Sequence, residues 1–253
     1  MSSLIDSPPS STLPFPAVLV YETVLNGPAG SAMARFARDI YRADTTVRLG
    51  PSGYAYGLPV GYTTQRALPA PAIINEVRAF FDHAREYPET PFMLTALGRR
   101  RARIRIHESA ILAAAANAPS NVELPGAWRH QLAPENIRVA VVGKGPQVVE
   151  MLERSLEPLL ARGATVEIVR GLEAGDDTEV ERLAASSGVP VVRFPPLWQS
   201  HKGLAPAATS IVMTWYASHV WVANARPGFL GRELLRQAQA LQLPITQCTT
   251  SSR

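Results

Sequence analysis

The stretch Val139-Ala140-Val141-Val142-Gly143-Lys144-Gly145 decides how this chain folds. A short continuous apolar run bounded by glycine reads as a buried strand. The Gly-Lys-Gly turn then opens a helix whose Val148, Val149, Leu152, Leu156, Leu159 and Leu160 fall on one face. The pattern repeats, with strand candidates at 165–169, 189–194, 219–223 and 243–247 and helices at 177–186 and 232–241. Strand and helix alternating at this spacing predict a parallel sheet with right-handed crossovers, a Rossmann-like layer structure.

Working outward, the first half is also α/β. It has strand candidates at 17–21 and 92–97 and helical spacing at 31–41, 72–87 and 108–116. The helix at 72–87 carries Ile73, Ile74, Val77, Phe80, Phe81 and Ala84 on one face and ends before Pro88. The segment 117–134 holds Pro119, Pro125 and Pro134 with few periodic apolar residues, and reads as a linker. The expected organisation is a Pro/Ser-rich arm at 1–16, an α/β domain at 17–130 and a Rossmann-like domain at 135–253.

Gly98 is followed by Arg99, Arg100, Arg101, Arg103 and Arg105, where a chain of this pattern ordinarily carries a glycine-rich ligand loop. Each guanidinium is permanently charged and brings five N–H donors, so the cluster must face water, carboxylates or phosphates. Two readings stand: a solvated loop with ordinary ion pairs, or a site for anions, RNA or an acidic protein partner. The chain has 25 basic and 21 acidic residues, net charge +4, which the loop arginines alone exceed. A generally cationic protein that coats nucleic acid is thereby excluded. With a single cysteine, Cys248, there is no intrachain disulfide framework and no thiolate cluster. The N-terminal stretch has neither a basic nor an apolar signal region, and no run approaches membrane-spanning length. The expectation is a cytoplasmic protein with no membrane partner.

The segment from about 137 to 247 resembles the YspA-like branch of the SLOG superfamily, Rossmann-like domains that bind nucleotides or nucleotide-derived ligands. The family's Gly-Gly-Ala-Arg-Gly-Ala-Asp stretch corresponds to 171–177, where Gly171, Gly175 and Asp177 persist. A Gly-x-Pro-Val strand follows at Gly188–Val191, and a Phe-Pro-x-x-Trp signature at Phe194, Pro195 and Trp198. Thr209 and Ser210 stand where the family has an Arg-Asn pair. Pro227, Gly228, Phe229, Leu230, Gly231 and Arg232 stand for its Pro-Gly-Gly-x-Gly-Thr loop. The resemblance implies ligand contacts at Gly171, Gly175, Asp177, Thr209, Ser210, Gly228, Gly231 and Arg232, with Phe229 obstructing part of the approach and Arg232 adding a charged donor.

The first half is similar to a macro-domain-like family of phage and bacterial proteins. The similarity is carried by Ala55 to Val60, by Thr95 to Arg103, and by Ala118, Pro119, Asn121, Val122, Leu124, Pro125, Trp128 and Arg129. It places the arginines where that family has a ligand loop. Together the resemblances imply a nucleotide-type ligand (ADP-ribose or NAD-derived, or a nucleoside phosphate) held in degenerate, non-catalytic sites, and they imply self-association.

No nucleophile-base order, Walker loop or metal spacing is present, so no catalytic residue, metal or cofactor is assigned. His107 and His201 stand alone, and the Gly143–Gly145 turn is too short for a Walker loop. Asp176 reads as a helix cap, Glu233 as a first-turn dipole partner, and the tryptophans as core. The rival class is a non-enzymatic scaffolding subunit that holds a protein or RNA through the arginines and the arm. A nucleotide N-glycoside or phosphoester hydrolase is the enzyme such a chain would be.

Overall fold

The computed structural model describes residues 17–26, 32–97, 108–143, 145–171, 178–194, 205–223 and 228–247. The protein is α/β, with two sheets of mostly parallel strands and eight helices among the described residues. It divides into two compact units that part between Pro125 and Gly126.

The first unit contains β1 (Val18–Val24), α1 (Ala32–Tyr41), β2 (Gly50–Ser52), β3 (Ala55–Gly61), α2 (Ala70–Glu86), β4 (Phe92–Leu94), α3 (Glu108–Ala115) and β5 (Val122–Glu123). Its sheet runs β2-β3-β1-β4-β5, parallel except for β2 at the edge. Every residue of β1 is buried. The strand continues past Tyr21 through Glu22 and Thr23 because the Thr23 hydroxyl donates to the Arg48 carbonyl, which satisfies it inside.

Strand β3 was invisible to pattern reading because it contains Gly57, Pro59 and Gly61. Pro59 is tolerated because β2 pairs only with Ala55–Gly57 and has ended before it. The proline nitrogen thus needs no partner on that side. Phe80 of α2 meets Tyr56 of β3 and Phe92 of β4, with ring centres 5.1 and 5.5 Å apart, which seats α2 across the sheet.

The second unit contains α4 (Gly126–Leu132), β6 (Asn136–Val142), α5 (Pro146–Leu160), β7 (Thr165–Gly171), α6 (Thr178–Ser186), β8 (Val191–Phe194), α7 (Ala205–Tyr216), β9 (His219–Val222), α8 (Phe229–Ala240) and β10 (Ile245–Gln247). Its sheet is wholly parallel in the order β10-β9-β6-β7-β8. Val139, Val141, Val166, Ile168 and Trp221 of the sheet pack with Val148, Met151, Leu152 and Leu156 of α5 and with Val180 and Ala184 of α6. Helices α4, α7 and α8 pack together on the other face.

Helix α7 escaped the sequence reading. Ser210, Val212, Met213, Trp215 and Tyr216 are all buried, so it lacks the polar stripe that marks an amphipathic helix.

The linker expected at 117–134 is corrected. It contains β5, paired in parallel with β4, and α4, whose Trp128 is fully buried. Its three prolines fall between elements and punctuate them. The Asn121 amide reaches the carbonyls of Ala84, Tyr87 and Thr90 at 2.9, 2.9 and 3.0 Å, tying the segment to the end of α2.

His83 on α2 lies among Tyr56, Tyr87 and Phe92, with ring centres 5.2, 4.8 and 5.9 Å away, and its Nε2 is buried without a hydrogen-bond partner. Burial holds the imidazole below its ordinary 6.5, against the opposing pull of Glu86. The unfolded chain therefore takes up the proton first. The stability this neutral ring contributes is complete above pH 6.5 and is lost as pH falls below it. Replacing His83 with Phe should shrink the fall in Tm between pH 7.5 and 5.5 by roughly 2–4 °C, read by circular dichroism.

Candidate functional site

In an open α/β sheet a ligand crevice forms beyond the carboxyl ends of two adjacent strands whose connections leave in opposite directions. In the second unit those strands are β6, which leads to β7, and β9, which leads to β10. The two stay paired to the brink, where the Ala223 N–H donates to the Val142 carbonyl at 2.9 Å.

Two glycines shape the turn out of β6. Gly143 has φ +136, and a Cβ there would lie 2.9 Å from Val148 Cγ2 and 3.1 Å from Ala223 Cβ, so helix and strand close around it. Gly145 has φ +71 and open space where a Cβ would go. It is the N-cap of α5, with no side-chain cap, Pro146 following and no acidic residue in the first turn. Gly228 caps α8 in the same manner, again without a side-chain cap or a first-turn acid. Both helix starts thus turn the positive dipole end towards the crevice, which favours an anion there.

Sequence reasoning passed over this turn by testing it only as a Walker loop. The available signal was the spacing Gly143-x-Gly145-x-x-Val148 directly after a strand, which matches the first two glycines of the dinucleotide fingerprint with valine at the third. The first glycine makes the tight turn and the second leaves the backbone open to phosphate.

The residues nominated from sequence separate into three groups. Gly228 and Arg232 lie in the first turn of α8, Arg232 exposed. Gly171, Gly231, Thr209 and Ser210 are interior. A Cβ on Gly171 would meet Leu230 Cδ2 at 2.4 Å, so this glycine lets the start of α8 settle onto the end of β7. Ser210 Oγ donates to the Leu230 carbonyl at 3.1 Å, locking α7 to the same turn. Gly175, Asp177, Arg99, Arg100, Arg101, Arg103 and Arg105 lie outside the described residues.

Phe229, at the first position of α8, is 56% exposed. Glu233 accepts from Arg236 Nε at 2.9 Å and from Gln237 Nε2 at 2.6 Å, bonds that stitch its own helix.

At the ends of β7 and β8, Arg170 and Arg193 are register partners. Arg193 grips Glu181 of α6 through Nε and Nη2, each at 2.6 Å. The hydrogen bond from Arg193 holds the Glu181 carboxyl below the usual carboxylate range.

The first unit has its own switch point between β1 and β4, since β1 leads towards β3 and β4 towards β5. Beside it Glu22 and Thr23 are buried, and Thr95 Oγ1 is buried without a hydrogen-bond partner. Among the described residues no group of three His, Cys, Asp or Glu is placed to hold a metal, and no helix is long and apolar enough to cross a membrane. No family model, curated protein or solved structure matches the chain.

Proposed function

We propose that the second unit binds a nucleotide-type ligand, its phosphate seated between the starts of α5 and α8. The observation that carries this reading is the Gly143–Gly145 turn at the β6/β9 switch point, closed around Gly143 and open at Gly145. The YspA-like SLOG resemblance of the same segment supports it, and the macro-domain-like resemblance of the first half points to the same ligand class, ADP-ribose, NAD-derived or nucleoside phosphate. Phe229 in place of the family's glycine, and interior Thr209 and Ser210 in place of its Arg-Asn pair, argue for binding without turnover.

The test is a thermal-shift and calorimetric screen of the full chain against ADP-ribose, NAD, nucleoside monophosphates and cyclic nucleotides. A ligand at a hundred times its Kd stabilises the fold by about 2.7 kcal/mol, several degrees in Tm. At least one of these ligands should do so, with no base released on prolonged incubation. Silence from all of them at millimolar concentration rejects the reading.

A further inference from the structure

At the end of the second sheet opposite the crevice, His130 of α4 and His219 at the start of β9 bring their rings together. The ring centres are 4.8 Å apart and the planes stand at 78°. His130 Nδ1 lies 3.2 Å from the Asn136 carbonyl oxygen. A carbonyl can only accept, so the ring proton sits on Nδ1 and Nε2 keeps its lone pair.

His219 Nδ1 lies 2.9 Å from Ser218 Oγ. That hydroxyl accepts the Arg138 N–H at 2.9 Å and also lies 3.1 Å from the Arg138 carbonyl oxygen. Nδ1 is thus engaged by the protein on both rings, which leaves Nε2 for a ligand. An Nδ1–H held by a protein acceptor is also what orients a metal-binding histidine.

With metal–nitrogen bonds of about 2.0–2.1 Å, two imidazoles sharing one ion have their ring centres about 5 Å apart. The observed separation meets that requirement. We propose that His130 and His219 form an exchangeable site for a borderline transition-metal ion, Zn2+, Cu2+ or Ni2+, bound through both Nε2 atoms. Imidazole nitrogen selects these ions over Mg2+ or Ca2+.

Both rings are only partly buried, so an ion reaches them from solvent. No third His, Cys, Asp or Glu among the described residues joins the pair, which leaves the other positions to water.

The chain has five histidines, so the experiment uses full-length protein with His107 and His201 replaced by Gln. Titration with Cu2+ and Zn2+ should give one ion per chain, and the Cu2+ spin-resonance spectrum should show coupling to two imidazole nitrogens. His130→Gln and His219→Gln should each weaken binding at least tenfold and leave one coupled nitrogen. If His219→Gln disturbs the strand, His130→Gln still decides, with circular dichroism reporting the fold. Unchanged affinity in His130→Gln, or fewer than two coupled nitrogens in the background protein, overturns the proposal.

Discussion

Gly126→Ala is expected to cost the second unit on the order of 3–5 kcal/mol, more than a typical core truncation. A Cβ at this position would lie 2.2 Å from the Tyr216 carbonyl oxygen and 2.4 and 2.5 Å from the Ala217 carbonyl carbon and oxygen. All three are main-chain atoms at the end of α7, so no rotamer change relieves the clash. Either α4 lifts or the turn into β9 shifts. Lifting α4 withdraws Trp128, which is fully buried two residues on. Moving the turn strains the Ser218 N–H bond to the Arg138 carbonyl, 2.8 Å, that anchors β9 beside β6.

Urea unfolding measures the effect. Gly163→Ala is the control, because Gly163 has φ +76 but open space around its Cα, and only backbone strain of about 1 kcal/mol applies. Equal losses in the two variants would mean that α4 does not sit hard against α7.

Gly145→Asp should weaken nucleotide binding about 30- to 100-fold and cost about 1–3 kcal/mol of stability. Nothing lies within 4 Å of the new Cβ, but φ +71 with ψ −165 is a backbone conformation that essentially only glycine adopts, so the substitution is strained. The carboxylate brings a negative charge to the start of α5 and repels phosphate, and urea unfolding reads the strain separately from the loss of binding. Gly145→Asn separates charge from bulk and should lose less affinity. Isothermal titration reads both, and full affinity in the aspartate variant would move the ligand away from this crevice.

Much of the second unit was legible because its signals are local. The run 139–142, the glycine turn and the one-sided apolar spacing of α5 identify strand, turn and helix without reference to any distant residue. Helix α6 and strands β7 and β9 follow the same logic. What was missed had no local signature. Helix α7 lacks a charged or exposed polar stripe because it is packed against α4, α8 and the sheet. Strand β3 carries a proline whose acceptability depends on where β2 stops, and 117–134 looked like a linker because its prolines mark the ends of very short elements.

The candidate site divided in the same way. Gly228 and Arg232, nominated from motif order, stand at the N-cap and in the first turn of α8. Gly171, kept from the motif, packs against Leu230 and Met213, and Ser210, which stands in for part of the family's Arg-Asn pair, bonds the Leu230 carbonyl. The Gly143–Gly145 turn is in plain view as a Gly-x-Gly spacing after a strand, but only the fold shows which of its glycines is closed in.

By itself, then, the sequence determined the α/β alternation and the parallel, Rossmann-like character of the second half, since periods of two and 3.6 residues are written into neighbouring positions. The tertiary structure alone decided that Gly143 is closed and Gly145 open, that Gly126 lies against the backbone of α7, and that His130 meets His219. Each of these depends on which distant segments approach and how closely, and steric exclusion and hydrogen-bond pairing across the chain leave no trace in local periodicity.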